Sequence, residues 1–320
     1  MLTLFTTPKP FSGHIGVIQR NALKSWTLLH PDVEVIVFGD DEGAAEVCAE
    51  LGLRHEPHVE RKENGTKGVR SIFGRAQEIA RYDRLCYCNC DIILMADFRR
   101  AAETAACWRE KFLMIGRRWD VDVTEPIHFS ATDWQDTLAE RARREGFQRL
   151  YYNIDYFLFP RGLYRNIPDL VIGRNCWDQW LVWRARAAGE PVVDASDAVC
   201  AVHQNHDYSY HPKGMAGVWY DEGTQGNFRQ AGGWSCLHTI EDAQWRLTPA
   251  GVAPNRWWVV APARRRARRA FSAVRAFTRT RVWHPFLDRT RTLREALGLR
   301  QAKLGALRRR SGPKRHWLDQ

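Results

Sequence analysis

Short apolar runs alternate with helix-period segments through the first third of the chain. Strand-like runs cover residues 2–6, 33–38, 53–55 and 84–88, and helical spacing covers 15–29, 44–51 and 71–81. Strands that alternate with helices predict an α/β fold with a doubly wound, mostly parallel sheet. In such sheets ligands bind beyond the carboxyl ends of the strands. The side chains that follow each strand are therefore the candidates for ligand binding.

The second half of the chain is less regular. Apolar runs at 92–95, 111–116, 154–160, 192–193 and 198–202 predict further short strands, and 177–188 predicts a Trp-rich helix. The run at 111–116 leads into the charged stretch 117–122, which we interpret as the polar end of that strand.

Charge divides the chain into two parts. The formal net charge is +11, but residues 261–320 alone contain 18 Lys or Arg and 3 Asp or Glu, so the first 260 residues have a net charge of −4. We therefore predict a main domain at 1–260 and a basic helical tail at 261–320.

Two interpretations of this tail stay open, namely peripheral contact with an anionic membrane and a solvated segment. RNA binding ranks behind both, because the tail contains no recognised nucleic-acid-binding motif.

The sequence contains no run of about 18 apolar residues, so no membrane-spanning helix is expected. The N-terminus lacks a basic start and a small-residue cleavage site and reads as a first strand. Eight Cys occur without a C-x-x-C pair, which argues against a zinc site and favours a reducing compartment. We expect a cytoplasmic protein, peripheral at the inner face of the membrane if the tail binds lipid.

Polar residues follow three of the predicted strands. They are Thr6-Thr7, Asp40-Asp41 and Asn89-Cys90-Asp91, and the sheet topology predicts that they meet in one crevice. A carboxylate at such an edge can hold Mg²⁺ or Mn²⁺, which prefer oxygen ligands. Taken alone, Asp91 is better explained as a capping residue, whereas for Asp40 a role in a turn and a contact with the nucleoside are equally supported.

The segments around Asp91 and Asp40 favour a functional role for these residues over a structural one. Together they resemble the GT-A-fold glycosyltransferases, specifically a bacterial and plant group of nucleotide-diphospho-sugar transferases, over about residues 1–215. The segments are FTTPKPF at 5–11, QRNA at 19–22, FGDDEG at 38–43, SIFGRAQEIA at 71–80, NCD at 89–91, DYFLFPRG at 155–162 and HQNHDY at 203–208.

The resemblance implies a nucleotide-sugar donor, a divalent cation (Mn²⁺ or Mg²⁺) and a smaller acceptor-side region. Asp91 matches the last acid of the family's metal-binding triplet, which ends the fourth strand, and Asn89 replaces the first. The family's metal shell further implies His203 as a ligand, with His206 left open. Residues assigned to donor binding are Thr6, Thr7, Arg20, Asp40, Arg75 and Asn89.

Two acids are candidates for catalysis. Asp155 resembles a sugar- or acceptor-binding acid of the family, and Asp178 resembles the base of inverting relatives. The alternative for Asp178 is a helix N-terminal acid that is favoured by the helix dipole. Arg117, Asp120 and Asp122 either line the sugar or acceptor pocket or form a salt-bridged strand end.

The predicted function is glycosyl transfer from a nucleotide-diphosphate sugar to a glycan or lipid-linked acceptor, as in cell-envelope polysaccharide synthesis. A sugar-phosphate nucleotidyltransferase is the alternative enzyme. That class normally has a Gly-rich basic loop after its first strand, whereas this chain has Thr6-Thr7-Pro8-Lys9-Pro10. A nucleic-acid-binding adaptor is the non-catalytic alternative.

Overall fold

The computed structural model describes residues 1–207, 221–260 and 262–263. These residues contain thirteen strands and seven α-helices. The strands are β1 Thr3–Thr6, β2 Glu34–Phe38, β3 Arg54–Glu56, β4 Arg84–Cys88, β5 Ile92–Ile93, β6 Leu113–Ile115, β7 Arg118–Val121, β8 Phe147–Gln148, β9 Tyr156–Pro160, β10 Val192–Asp194, β11 Ala201–Gln204, β12 Trp245–Thr248 and β13 Gly251–Pro254. The helices are α1 Gly13–Thr27, α2 Ala44–Leu51, α3 Val69–Ile79, α4 Ala96–Trp108, α5 Trp134–Glu145, α6 Trp177–Ala187 and α7 Glu222–Gln230.

Nine strands form the main sheet, in the order β13-β12-β10-β6-β9-β4-β1-β2-β3. Strands β3, β2, β1 and β4 run parallel, as do β6, β10 and β12. Strand β9 is antiparallel to its neighbours β4 and β6, and β13 is antiparallel to β12. The doubly wound, mostly parallel α/β sheet expected from the sequence is confirmed.

The two faces of the main sheet are covered by different apolar clusters. Phe5 of β1 packs on one face with Phe73 of α3, at a ring-centroid distance of 5.1 Å. Its neighbour Leu4 points to the other face, where Trp26 of α1 is fully buried. Strand residues alternate between faces, so burying both requires helices on both sides. Each such buried side chain contributes about 1.5–3 kcal/mol.

A second, four-stranded sheet has the order β5-β11-β7-β8. Strand β11 pairs with β7 in parallel and with β5 in antiparallel register, and β7 is antiparallel to β8. Here the sequence interpretation was wrong in one respect. The stretch 117–122 is not the polar end of strand 111–116, because Arg118–Val121 forms a strand of its own whose charged side chains are paired.

Residues Met1–Val259 form one compact unit, and Val260–Gln320 is assigned to a second. Apart from 262–263, the predicted tail at 261–320 lies outside the described residues, so its helicity stays a prediction. None of the helices in the described ranges is both long and apolar enough to cross a membrane.

Candidate active site

The fourth strand of the main sheet ends at Cys88, and the chain turns through Asn89-Cys90-Asp91 into the second sheet at β5. The turn is held by backbone bonds: Asn89 donates to the carbonyl of Asp155 at 2.9 Å, and Ile92 donates to the carbonyl of Asn89 at 3.1 Å. Asp91 therefore lies where the two sheets join.

Buried amides fix this turn from the opposite side. Gln204, at the end of β11, is fully buried; its Nε2 donates to the Asp91 carbonyl at 3.2 Å and to the Ile18 carbonyl at 2.7 Å. Its Oε1 accepts from Asn21 Nδ2 at 2.9 Å. These buried amide side chains connect helix α1, strand β11 and the Asp91 turn.

Two imidazoles face the Asp91 carboxylate. His206 Nε2 lies 3.2 Å from Asp91 Oδ2, and His203 Nε2 lies 3.7 Å from the same oxygen. One ligand atom from each of the three residues falls within 4.8 Å of the others. Asp91 Oδ1 is buried with no hydrogen-bond partner among the described residues. A divalent cation bound by these three side chains would satisfy that oxygen.

Burial alone would raise the pKa of the Asp91 carboxyl, but His203, His206 and Lys9 outweigh it and hold this pKa well below its usual range. A carboxylate that keeps its charge in a buried position suits cation binding. One carboxylate with two imidazoles fits Mn²⁺ better than Mg²⁺, which prefers oxygen ligands throughout.

His203 is held from behind by Asp120 of β7. His203 Nδ1 lies 3.3 Å from Asp120 Oδ1, in a contact that lacks hydrogen-bond geometry. Asp120 Oδ1 accepts from Arg118 Nε at 2.9 Å, and Asp120 Oδ2 accepts from Arg149. Burial would raise the pKa of Asp120, but His203, Arg118 and Arg149 hold it well below its usual range. A carboxylate on the far ring nitrogen directs the other nitrogen toward Asp91.

Asp155 precedes β9 and is 5% exposed. Its Oδ1 accepts from Asn89 Nδ2 at 2.6 Å and from Arg118 Nη1 at 2.7 Å. Arg118 therefore bridges Asp155 to Asp120, and so links the main sheet to the residue behind His203. The Asn89 amide, predicted to bind the donor, donates to Asp155 in this structure.

Asp178 lies in the first turn of α6 and has a different environment. Its Oδ1 is buried with no hydrogen-bond partner among the described residues. Burial is the main cause that raises the pKa of its carboxyl to about 7, and the charge of Asp155 adds to the effect. Cys176 is the N-cap residue of α6. Its backbone is left-handed, with φ 84°, which is uncommon for a residue other than glycine.

The residues after β1 and β2 meet through Lys67. Its Nζ donates to Thr7 Oγ1 and to the Pro8 carbonyl, both at 2.7 Å, and pairs with Asp41. Thr6 is fully buried beside the Cys90 thiol. Burial lowers the pKa of Lys67, although Asp41 opposes that effect. Asp40, by contrast, is exposed and pairs with Arg61.

The two arginines assigned to donor binding lie elsewhere. Arg20 pairs with Glu50 on the solvent side of α1, and Arg75 pairs with Glu56 and Glu78 beside the outermost strand β3. Neither makes a hydrogen bond or ion pair with Asp91, His203 or His206 among the described residues, and their role in donor binding stays a prediction.

Among the predicted residues, the structure brings Asp91, His203, Asn89 and Asp155 into one connected cluster. Sequence reasoning left His206 open and gave no role to Lys67 or to Arg118. His206 could have been found from the paired histidines in His203-Gln204-Asn205-His206. Lys67 and Arg118 gave no such signal, because their importance depends on strands that are distant in sequence.

Neither a protein-family model nor a curated protein sequence matches the chain. Similar solved structures are S. aureus TarS 1-349 (11% identity, TM-score 0.44, covering 63% of this chain and 60% of that chain) and M. tuberculosis glucosyl-3-phosphoglycerate synthase (10%, 0.45, 75% and 86%). The same synthase was also solved in complex with Mg²⁺ and uridine-diphosphate (13%, 0.42, 64% and 72%). The match to TarS thus spans less than two thirds of that structure.

The class of fold is defined by this chain's own topology. The sheet is mostly parallel, and its fourth strand ends at Asn89-Cys90-Asp91, as the resemblance to the GT-A fold implied. The GT-A-like fold class expected from the sequence is therefore confirmed.

Proposed function

We propose that the chain is a metal-dependent glycosyltransferase that moves a sugar from a nucleotide-diphosphate donor to a hydroxyl of a glycan or lipid-linked acceptor. The observation that supports it is the cluster of Asp91, His203 and His206, in which Asp91 Oδ2 faces two imidazoles and the buried Oδ1 has no hydrogen-bond partner among the described residues. Asp91, His203 and His206 would hold the cation. Its chemistry there would be to neutralise charge on the leaving diphosphate.

The residues of the chain supply the remaining chemistry. In the proposed step Asp178 takes the proton of the acceptor hydroxyl, the acceptor oxygen bonds to the anomeric carbon, and the bond from that carbon to the diphosphate breaks. A carboxyl with a pKa of about 7 is poised for this exchange near neutral pH. Attack from the face opposite the leaving group inverts the anomeric configuration.

The donor's nucleotide is proposed to lie at the ends of β1, β2 and β4. Thr7 and Lys67 are positioned there, with the Lys67 ammonium held among oxygens. Asn89, Thr6 and Asp40 complete the predicted donor side, and Asp155 the sugar side. Cell-envelope polysaccharide is the acceptor class that we propose.

The test is calorimetric titration of the protein with nucleotide sugars, with Mn²⁺, Mg²⁺, Zn²⁺ or chelator present. We expect one donor to bind with Mn²⁺ and at least 100-fold more weakly in Asp91→Asn, since the buried ligand charge is lost. Asp32→Asn, at an exposed acid, is the matched control. Unchanged metal dependence in Asp91→Asn would refute the site. Binding of a nucleoside triphosphate with a sugar phosphate would favour a nucleotidyltransferase instead.

We further propose that residues 261–320 bring the protein to the inner face of an anionic membrane, where lipid-linked acceptors lie. The charge supports this, since those residues have a net charge of +15 while the first 260 have −4. Each basic residue near such a surface contributes about 1 kcal/mol, weakened by salt.

Co-sedimentation with phosphatidylserine vesicles tests this. The intact chain should bind, and replacing the five arginines of 264–269 with Gln should weaken binding steeply while donor binding stays unchanged. A solvated tail predicts no vesicle binding by the intact chain, and an RNA-binding tail predicts polyanion binding without a preference for lipid. Either result would refute the membrane proposal.

A further inference from the structure

A groove with a volume of ≈ 390 Å³ lies along α6, between the loop after β9 and the C-terminal end of α7. Its floor and one wall come from one face of α6, because residues at positions 180, 183 and 184 share a face of a helix. The residues that matter for the argument are Arg165, Asn166, Trp180, Trp183, Arg184 and Gln230.

This groove is separate from the candidate active site, although α6 contributes to both. Successive residues of an α-helix are about 100° apart around the axis. Trp180, Trp183 and Arg184 therefore lie roughly 140–240° around α6 from Asp178. The groove opens on the side of the helix that faces away from the proposed base.

Two cationic groups of the groove are not neutralised by any residue that the structure describes. Arg165 is exposed and Arg184 is half-buried, and neither guanidinium has a hydrogen bond or ion pair within the described ranges 1–207, 221–260 and 262–263. Elsewhere in the same unit, Arg118, Arg161 and Arg174 are paired with acids. A guanidinium is a rigid fork that matches carboxylate or phosphate, so the two arginines favour an anionic ligand.

The other lining residues favour a sugar as the body of that ligand. The rings of Trp180 and Trp183 lie 6.1 Å apart and give the groove an apolar floor, of which Trp183 is the more exposed. Asn166 and Gln230 are exposed amides that can donate and accept hydrogen bonds to hydroxyls. Exposed residues at the rim leave room for a chain that continues past the groove.

We propose that this groove binds an anionic saccharide chain, with its acidic groups on Arg165 and Arg184 and a sugar ring against Trp183. The binding does not require the proposed transfer reaction, since the groove faces away from Asp178. It would hold a polymer on the protein at a second point, which raises the local concentration of that polymer.

The experiment titrates the full-length protein with three probes: tetragalacturonate, neutral maltotetraose and inorganic phosphate. We expect tetragalacturonate to bind more tightly than either of the other two. Arg165→Ala combined with Arg184→Ala should weaken it at least about tenfold, since charge-assisted bonds to the carboxylates are lost. Trp183→Ala should weaken it without changing its salt dependence.

Arg109→Ala, at an exposed arginine outside the groove, is the matched control and should bind tetragalacturonate as the unaltered chain does. Donor binding with Mn²⁺ should persist in the double variant. Equal binding of phosphate or maltotetraose, or unchanged affinity in the double variant, would overturn the proposal. If the double variant unfolds, Arg165→Ala alone decides, because that side chain is exposed and its loss leaves the core intact.

Discussion

Two neighbouring regions bury carboxylates in opposite ways. In the cluster between the two sheets, Asp91, Asp120 and Asp155 each face an imidazole or a guanidinium. At the start of α6, Asp178 has no ion pair among the described residues, and one of its oxygens is buried with no hydrogen-bond partner there. The pKa values of Asp91 and Asp120 are held well below the usual range, whereas burial raises the pKa of Asp178 to about 7.

The difference separates two kinds of chemical work. Carboxylates whose pKa is lowered keep a fixed negative charge and can hold a cation, whereas one whose pKa lies near neutrality can take and release a proton. Acids whose environments push their pKa values apart are a signature of assigned roles in a site. Variants that remove a cationic partner from the first region, or the charge of Asp178 from the second, test this difference.

The largest effect is expected from Arg118→Met, which removes the guanidinium shared by Asp120 and Asp155. Two buried carboxylates then lose a partner, and breaking a buried pair costs about 3–5 kcal/mol. Urea unfolding should show that the free energy of unfolding of the variant is lower by this amount. Arg141→Met, at an exposed arginine that pairs with Glu145, should change it by about 0.5 kcal/mol or less. Equal stability of the two variants would show that the cluster does not depend on its counter-ions.

The next effect concerns turnover in the second region. Asp178→Asn should lower kcat by ~10²-fold or more with little change in donor affinity, because a general base contributes that much. In the unaltered enzyme kcat should fall as the pH drops below about 7, since the Asp178 carboxyl then becomes protonated.

Rate measurements from pH 5 to 9, with Asp169→Asn at an exposed acid as control, check this expectation. NMR of the product supplies an independent readout. A product that retains the donor's anomeric configuration would rule out Asp178 as the base of an inverting reaction.

A smaller effect is expected from Asp120→Asn, which keeps the shape of the side chain behind His203 but removes its charge. Loss of such a carboxylate typically costs 10–100-fold in metal affinity, and we expect about tenfold for Mn²⁺ by calorimetry. Asp122→Asn is the matched control, because Asp122 contacts Asn205 rather than His203. Equal affinities in the two variants would show that Asp120 only balances the charges of Arg118 and Arg149.

The comparison also explains which parts of the site the sequence could predict. Asn89 and Asp91 follow the apolar strand β4, so the local sequence pattern predicts their position at the edge of the sheet. Arg118 and Asp120 belong to β7, a strand whose alternate side chains are charged and buried, and it lacks the apolar period that marks a strand. Pairing with β11 and β8 stabilises that strand, and such pairing cannot be recognised from local sequence.

Helices α4 and α5 were missed for a related reason. The buried face of α4 is formed by Phe98 and three alanines, and α5 buries only Leu138 and Ala142. Small side chains give a weak periodic signal, even though they allow close packing. The role of Asp178 was inferred from resemblance alone, since its raised pKa depends on burial by the folded chain.

The last expected effect is a gain of stability in Asp178→Asn, and its sign follows from linkage. The carboxyl of Asp178 has a pKa of 3.8 as a free group and about 7 in the folded chain, so ionisation is harder in the folded state. Its cost to folding is absent below pH 3.8, grows as the pH rises toward 7 and is complete above it. Asparagine carries no charge, so the free energy of unfolding of the variant should exceed that of the unaltered chain by up to about 4 kcal/mol at pH 8, since each unit of the shift corresponds to about 1.4 kcal/mol. Urea unfolding at half-unit steps from pH 5 to 8 should show this difference grow with pH, whereas Asp169→Asn should show no such trend. A difference that stays flat over that range would mean that Asp178 is ionised throughout, and the contrast between the two regions would then be lost.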